Sequence, residues 1–239
     1  MNVVVSQPMF LPWIGLFEQI RLADVFVHYD DVQFPQGRSF IPRVQIKSPS
    51  GQAWLTAPVD RSTSGRLIGE SEFVADPQWR VRHLETLRHT YSRSSNFNLM
   101  FDLATAIYSY SGNNVADFNI HGIECIVRFF GLRAEFHRSS QLGIAGSSTR
   151  RLVDICAHFG ASSYTTGLGA LQYLDYAQFE EKGIEVLYMN YEKRAYPQLY
   201  GEFTPYVSIL DAIANCGEGA AALLCSNAVY WKEFIRERE

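Results

Sequence analysis

Ser6–Phe34 reads SQPMFLPWIGLFEQIRLADVFVHYDDVQF and, with the few residues before it, decides the fold. Asn2–Ser6 carries Val3, Val4 and Val5 in an unbroken run. A strand covered on both faces reads that way, so this one belongs inside an α/β sheet. Gln7, Pro8 and Pro12 end it, because proline lacks the amide a ladder needs and restricts the residue before it. Trp13, Ile14, Leu16, Phe17, Ile20 and Leu22 then fall mostly at helical spacing, with Glu18, Gln19 and Arg21 between them. That pattern predicts one helix of about three turns. Asp24–Tyr29 follows as a second buried strand that closes on Asp30 and Asp31. Polar residues just beyond the carboxyl ends of parallel strands are where ligands collect. Gln7, Asp30 and Asp31 are therefore candidates for one cleft, and the alternative is that the two aspartates only begin a turn toward Phe34 and Pro35.

Downstream, Arg38–Ile46 and Gln52–Val59 read as two antiparallel strands around the polar turn Lys47–Gly51. Asp60–Gly69 is a long polar loop carrying Arg61 and Arg66, either able to close over an anion. Asp76 caps a helix with Pro77 at its first position, running to Tyr91, and further helices are expected at about 98–111 and 115–130. This block at about 76–130 is the expected helical sub-lobe of a single domain spanning 1–239. From Arg133 the pattern returns to strand and helix: strands at 133–137, 163–165 and 183–190, helices at 149–159 and 171–182. That alternation favours parallel crossovers. The fold expected is thus α/β, a mainly parallel sheet flanked by helices, with an antiparallel hairpin near 38–59 and a helical insert. Ser208 caps a helix to Ala214, Gly217 ends it, and a final helix is expected over 219–236.

If the later strands run parallel to the first two, their loops gather on one edge with Gln7 and Asp31. Thr166 and Gly167 would then present a hydroxyl and an amide to that edge, and Tyr191 and Gln198 would come from the loop after the last strand. Ser147, Ser148 and Thr149 read as helix caps whose free amides also suit an anion.

Composition bounds the function. The chain has 239 residues, 47% hydrophobic and 19% charged, so a core is available and broad disorder is excluded. A net charge of −4 argues against a broad DNA-binding face. The sixteen phenylalanines and thirteen tyrosines suit stacking on sugars or bases as well as core packing. Cys125, Cys156, Cys216 and Cys225 form no paired motif and are expected as free thiols. No leader or transmembrane run is read, and a cytoplasmic protein is expected. GxSxG, GxxxxGK[ST] and GxGxxG are absent, and the six histidines have no metal-ligand spacing, so neither cofactor nor metal is expected. A fold-level analogy to nucleotidylyl transferases reaches Gly15 in the first turn but finds neither histidine of their motif.

One resemblance is closer. Gln7-Pro8, Pro12-Trp13-x-Gly15, Ala23-Asp24-x-Phe26 and Tyr29-Asp30-Asp31-Val32-Gln33-Phe34 resemble the start of the WbqC-like family. The similarity continues through Arg43, Gly51-x-x-Trp54-Leu55-Thr56-x-Pro58-Val59, Tyr164-x-x-Gly167, Tyr191, Tyr196-Pro197-Gln198 and Ser208-Ile209-Leu210-Asp211. Pro42 departs from the asparagine expected before Arg43. The resemblance implies a largely uncharacterised bacterial family associated with surface-polysaccharide, O-antigen and lipopolysaccharide biosynthesis. It implies transfer of a glycyl or other acyl group to the amine of a nucleotide-linked amino sugar, alongside other biosynthetic enzymes. On that footing Asp31 is the expected general base with Asp30 beside it, and Gln7 with Ser208 or Thr166 holds the oxyanion. Arg43 or Arg61 meets phosphate, while Trp13, Gln33, Gly167, Tyr191, Gln198 and Asp211 bind substrate. The alternatives are a binding module without catalysis, a nucleotidylyl-transferase-like enzyme, or a glycosyltransferase, for which Asp30-Asp31 lacks the spacer of a DxD arrangement.

Overall fold

The structure is a computed structural model that describes residues 1–37, 39–60, 62 and 65–238. In chain order the elements are β1 (Asn2–Ser6), α1 (Ile14–Leu22), β2 (Val25–His28), β3 (Arg43–Ser48), β4 (Gly51–Thr56), α2 (Gln78–Tyr91), α3 (Phe97–Tyr108) and α4 (Val115–Phe130). They continue with β5 (Glu135–Arg138), α5 (Ser148–His158), β6 (Ser163–Thr166), α6 (Tyr176–Glu180), β7 (Glu185–Asn190), α7 (Ile209–Cys216), β8 (Asn227–Tyr230) and α8 (Trp231–Arg236). The main sheet has the order β5-β2-β1-β6-β7-β8. Its first five strands are parallel and β8 closes one edge antiparallel to β7. The hairpin β3-β4 forms a separate two-stranded sheet.

The valine run explains the centre of this arrangement. Val4 and Phe26 pack into a core shared with α1, α2, α3, α4 and α7. Val3, Val5, Val25 and Val27 turn the other way, into a core with α5, α6 and α8. Alternate side chains of one strand thus serve two cores, and each fully buried valine contributes about 1.5–3 kcal/mol. The helical block from Gln78 to Phe130 is continuous with the first core through Trp79, Leu87, Met100, Phe118 and Ile123. Asp76 receives the Gln78 amide at 3.0 Å, so the expected cap forms two positions ahead of the helix start.

Asn2 anchors the opening strand. Its Nδ2 donates to the Leu22 carbonyl at 2.7 Å, and its Oδ1 accepts from Ser163 and Thr165 at 3.0 Å each. Asn119, buried on α4, donates to the carbonyls of Pro8 and Ile41 at 2.9 Å each and fixes the loop that carries Gln7.

Three expectations need correction. The hairpin begins at Arg43, with Ser39–Pro42 irregular and Arg38 outside the described residues. The helix expected over 171–182 is a short 3-10 turn at Leu168–Ala170 followed by α6 alone. The helix expected over 219–236 is a 3-10 turn at Gly217–Leu223, then β8, then α8. β8 gains its ladder from β7, a partner far enough away in sequence that local pattern does not signal it.

Candidate functional site

Because five strands are parallel, their carboxyl ends share one edge, and the strand order reverses between β1 and β6. Ligands of open α/β sheets bind at such a switch point. A cavity of about 1120 Å³ lies there. Ser6 and Gln7 reach it from β1, Tyr29 and Asp31 to Gln33 from β2, Gly146 to Ser148 from the loop before α5, Thr166 to Ala170 from β6, and Tyr191 and Lys193 from β7.

An ion pair is built into its wall. Arg151, 6% exposed on α5, pairs through its Nη2 with Asp31 Oδ2, and its Nε donates to the Ile144 carbonyl at 3.0 Å. Its guanidinium also lies 5.1 Å from the Tyr29 ring centre. Ser139 donates to Asp31 Oδ1 at 2.5 Å. Partial burial alone would raise the Asp31 pKa, but the hydrogen bonds from Arg151 and Ser139 and the guanidinium charge outweigh it, so Asp31 is held below the ordinary carboxylate value. Burial disfavours the Arg151 cation, and Asp31 and Tyr29 more than offset that, so Arg151 is held more firmly charged. A smaller hollow of about 320 Å³ shares Asp31, Gly146 and Arg151 with the main cavity.

Asp30, beside this pair, is 2% exposed and does not line the cavity. Its carboxylate accepts from Ser139 Oγ at 3.2 Å, Ser140 N at 3.0 Å and Ser140 Oγ at 2.9 Å, and its carbonyl accepts from Gly69 N at 2.7 Å. These bonds fasten the end of β2 to the end of β5 and to the turn at Ile68–Glu70. The adjacent carboxylates therefore divide between a locked joint and the cavity wall.

A second wall is aromatic. Trp13 meets Tyr191 edge-on at 5.0 Å and Tyr206 at 5.6 Å, and Lys193 sits 5.4 Å from the Tyr206 ring centre. Gly15 is required by this arrangement, since a Cβ there would lie 2.2 Å from the Trp13 ring. Gly167 likewise keeps room, for a Cβ would come within 3.1 Å of Gln19 Nε2, which also faces the cavity.

Of the residues expected at a site, Gln7, Trp13, Asp31, Gln33, Thr166, Gly167 and Tyr191 line the cavity. Asp30, Arg43, Gln198, Ser208 and Asp211 stand elsewhere. Arg43 packs 4.4 Å from the Trp54 ring centre and donates to the Ser39 carbonyl at 3.3 Å, away from the cavity lining. Arg61 lies outside the described residues. Ser208 caps α7, receiving the Leu210 amide at 3.3 Å and donating to the Leu11 carbonyl at 2.9 Å. Asp211 is fully buried and accepts from Tyr196 at 2.9 Å, Tyr91 at 3.0 Å and Gln198 at 2.9 Å. Burial raises its pKa despite those bonds. Gln198 also receives Lys47 Nζ at 3.1 Å, so this network ties the β7–α7 loop to the hairpin and to α2.

Sequence reading missed Arg151, Gln19 and Lys193. Arg151 left one signal: it shares a face of α5 with Ile155, one turn on, where an exposed arginine is out of place. Among the histidines, His83 bonds Tyr108 Oη at 2.9 Å and the Thr56 carbonyl at 3.0 Å, and burial pushes it down to about 4. The four cysteines are free, as expected, with Cys156 buried and the other three half-buried.

The WbqC-like protein family matches residues 7–222, which covers the whole cavity apart from β1 and Arg238. The chain belongs to the WbqC-like family. A WbqC-like relative in Mycobacterium tuberculosis (strain ATCC 25618 / H37Rv), the uncharacterized protein Rv1507c, is 30% identical over 221 residues, 92% of this chain and 95% of that protein. No solved structure matches significantly. Among the described residues of this WbqC-like chain, no helix is long and apolar enough to cross a membrane.

Proposed function

We propose that this chain is a transferase of bacterial surface-polysaccharide biosynthesis that places an acyl or aminoacyl group on the amine of a nucleotide-linked amino sugar. The observation that carries the reading is the cavity at the strand-order reversal with the Asp31–Arg151 pair in its wall. Base and sugar would stack on Trp13, Tyr191 and Tyr206, which are arranged edge-on and tilted to one another. Phosphate would meet Lys193 and Arg151 as charge-assisted partners, since both line the cavity and Arg43 is not among the lining residues. The sugar amine would lie against Asp31.

In the transfer, the amine nitrogen forms a bond to the donor's carbonyl carbon, the bond to the leaving group breaks, and the leaving group takes the electron pair. The amine releases one proton. Asp31 is ionised at neutral pH and accepts a hydrogen bond from the amine as that proton leaves, but its lowered pKa makes it a weak base, so its main contribution is to hold and orient the amine. The Gln7 and Gln19 amides supply donors for the carbonyl oxygen as negative charge develops on it.

The test is incubation of purified protein with nucleotide-linked amino sugars and activated acyl or aminoacyl donors, followed by mass spectrometry. A product heavier by the acyl group, lost with Asp31→Asn, supports the reading; unchanged turnover in Asp31→Asn overturns the role of Asp31. A binding module without catalysis is the second reading, favoured by both Asp31 oxygens being already engaged by Ser139 and Arg151. It predicts nucleotide-sugar binding with no mass shift under any donor.

A further inference from the structure

The cavity is large for a small-molecule site. Pockets for drug-sized ligands run to roughly 300–1,000 Å³, and this one is about 1120 Å³. Large apolar side chains are also exposed around it. The large hydrophobic side chains exposed among the described residues are Met1, Phe40, Trp54, Val81, Leu99, Leu168, Tyr173 and Tyr206. Phe40, Leu168, Tyr173 and Tyr206 all line this cavity, and Trp54 packs 6.1 Å from Phe40. Scattered exposed hydrophobics need no explanation, whereas their concentration around one opening marks a binding surface. Ring stacking does not account for it, because Leu168 at the surface and Leu16, Leu152 and Met189 in the walls have no rings.

Charge narrows the occupant further. Among the described residues, Asp31 is the one carboxylate in the lining and is already paired with Arg151, while Lys193 and Arg238 add positive charge. Counted over the described residues, the lining is net positive in a chain of net charge −4. An occupant matching both features has a long apolar part and an anionic part.

Resting on the transferase reading above, we propose that the donor is a long-chain acyl thioester. Its alkyl chain lies against Leu168, Tyr173 and Phe40, and its anionic carrier meets Arg238, which leaves Tyr206 and Lys193 to the nucleotide-linked sugar. The amine nitrogen of the sugar bonds to the thioester carbon as the carbon–sulfur bond breaks. The departing thiolate takes up the proton the amine releases, leaving an amide and a free thiol.

The test is calorimetric titration of the full-length protein with the acetyl, octanoyl and dodecanoyl thioesters of coenzyme A. Burying a methylene is worth about two- to fourfold in affinity, so Kd should fall steeply from acetyl to dodecanoyl. Leu168→Asp and Tyr173→Ser, at side chains 48% and 54% exposed, should flatten that dependence with the thermal unfolding midpoint preserved. Equal Kd for acetyl and dodecanoyl, or a dependence unaltered by both variants, overturns the long-chain donor even if short acyl groups are transferred. A steep dependence with no acyl group arriving on any amino sugar keeps the alkyl-chain site and overturns the transferase reading.

Discussion

Replacing Arg151 with methionine removes the cation from the cavity wall while retaining much of the side-chain volume over Tyr29. Asp31 then loses its strongest partner but keeps Ser139. Hydrogen bonds to charged groups contribute about 1.5–3 kcal/mol, and breaking a fully buried pair costs about 3–5 kcal/mol. The side chains here are 7% and 22% exposed, so solvent at Asp31 relieves part of the cost. The expected loss is about 2 kcal/mol, corresponding to roughly 4–8 °C in Tm for a chain of this size. The pH dependence has a definite sign. The folded pKa of Asp31 is below its ordinary 3.8, so its contribution is complete above that value and is lost as pH falls through the lower folded pKa. Urea unfolding followed by circular dichroism should therefore show a gap between wild type and Arg151→Met near neutrality that narrows below pH 3.8. Adding Asp31→Asn to Arg151→Met should recover part of the loss, because no uncompensated carboxylate remains. A gap that does not change with pH, together with fully additive single and double variants, would refute the pairing argument.

Other positions give sharp outcomes. Glu18, fully buried on α1, accepts Cys225 N at 2.8 Å, Ser226 N at 3.0 Å and Ser226 Oγ at 2.7 Å; Glu18→Ala should cost about 3 kcal/mol by leaving these donors unpaired, read by urea unfolding. Gly15→Ala drives a methyl into the Trp13 ring and should cost about 1–3 kcal/mol, with a change in tryptophan fluorescence reporting the displaced indole. Gly167→Leu projects into the cavity beside Gln19 and should weaken nucleotide-sugar binding at least tenfold by calorimetry while Tm changes little.

The legible parts of this chain were those in which short-range pattern and final environment agree. Val3 to Val5 announced a strand with two buried faces, and both faces proved to be core. Asp31 was legible as a strand-end carboxylate because parallel strands direct their ends to a common edge. Arg151 was not, since its partner is 120 positions away and an arginine in the first turns of a helix reads as a surface charge. Gln198 and Asp211 illustrate the converse: polar residues near an aromatic loop suggest a ligand site, but here they satisfy one another and Lys47 inside the fold. Local pattern cannot separate a buried hydrogen-bond network from a cleft, because both need the same side chains. β8 escaped notice for a related reason, being four residues whose strand character comes from β7.

The central claim, that the cavity between the β1 and β6 ends is where a nucleotide-linked amino sugar binds, is tested most directly by a crystal structure with such a sugar bound. The account predicts the sugar amine within hydrogen-bond distance of Asp31, with the base or sugar against Trp13, Tyr191 and Tyr206. Density for the ligand on the Arg43–Trp54 face, with the cavity unoccupied, would contradict it.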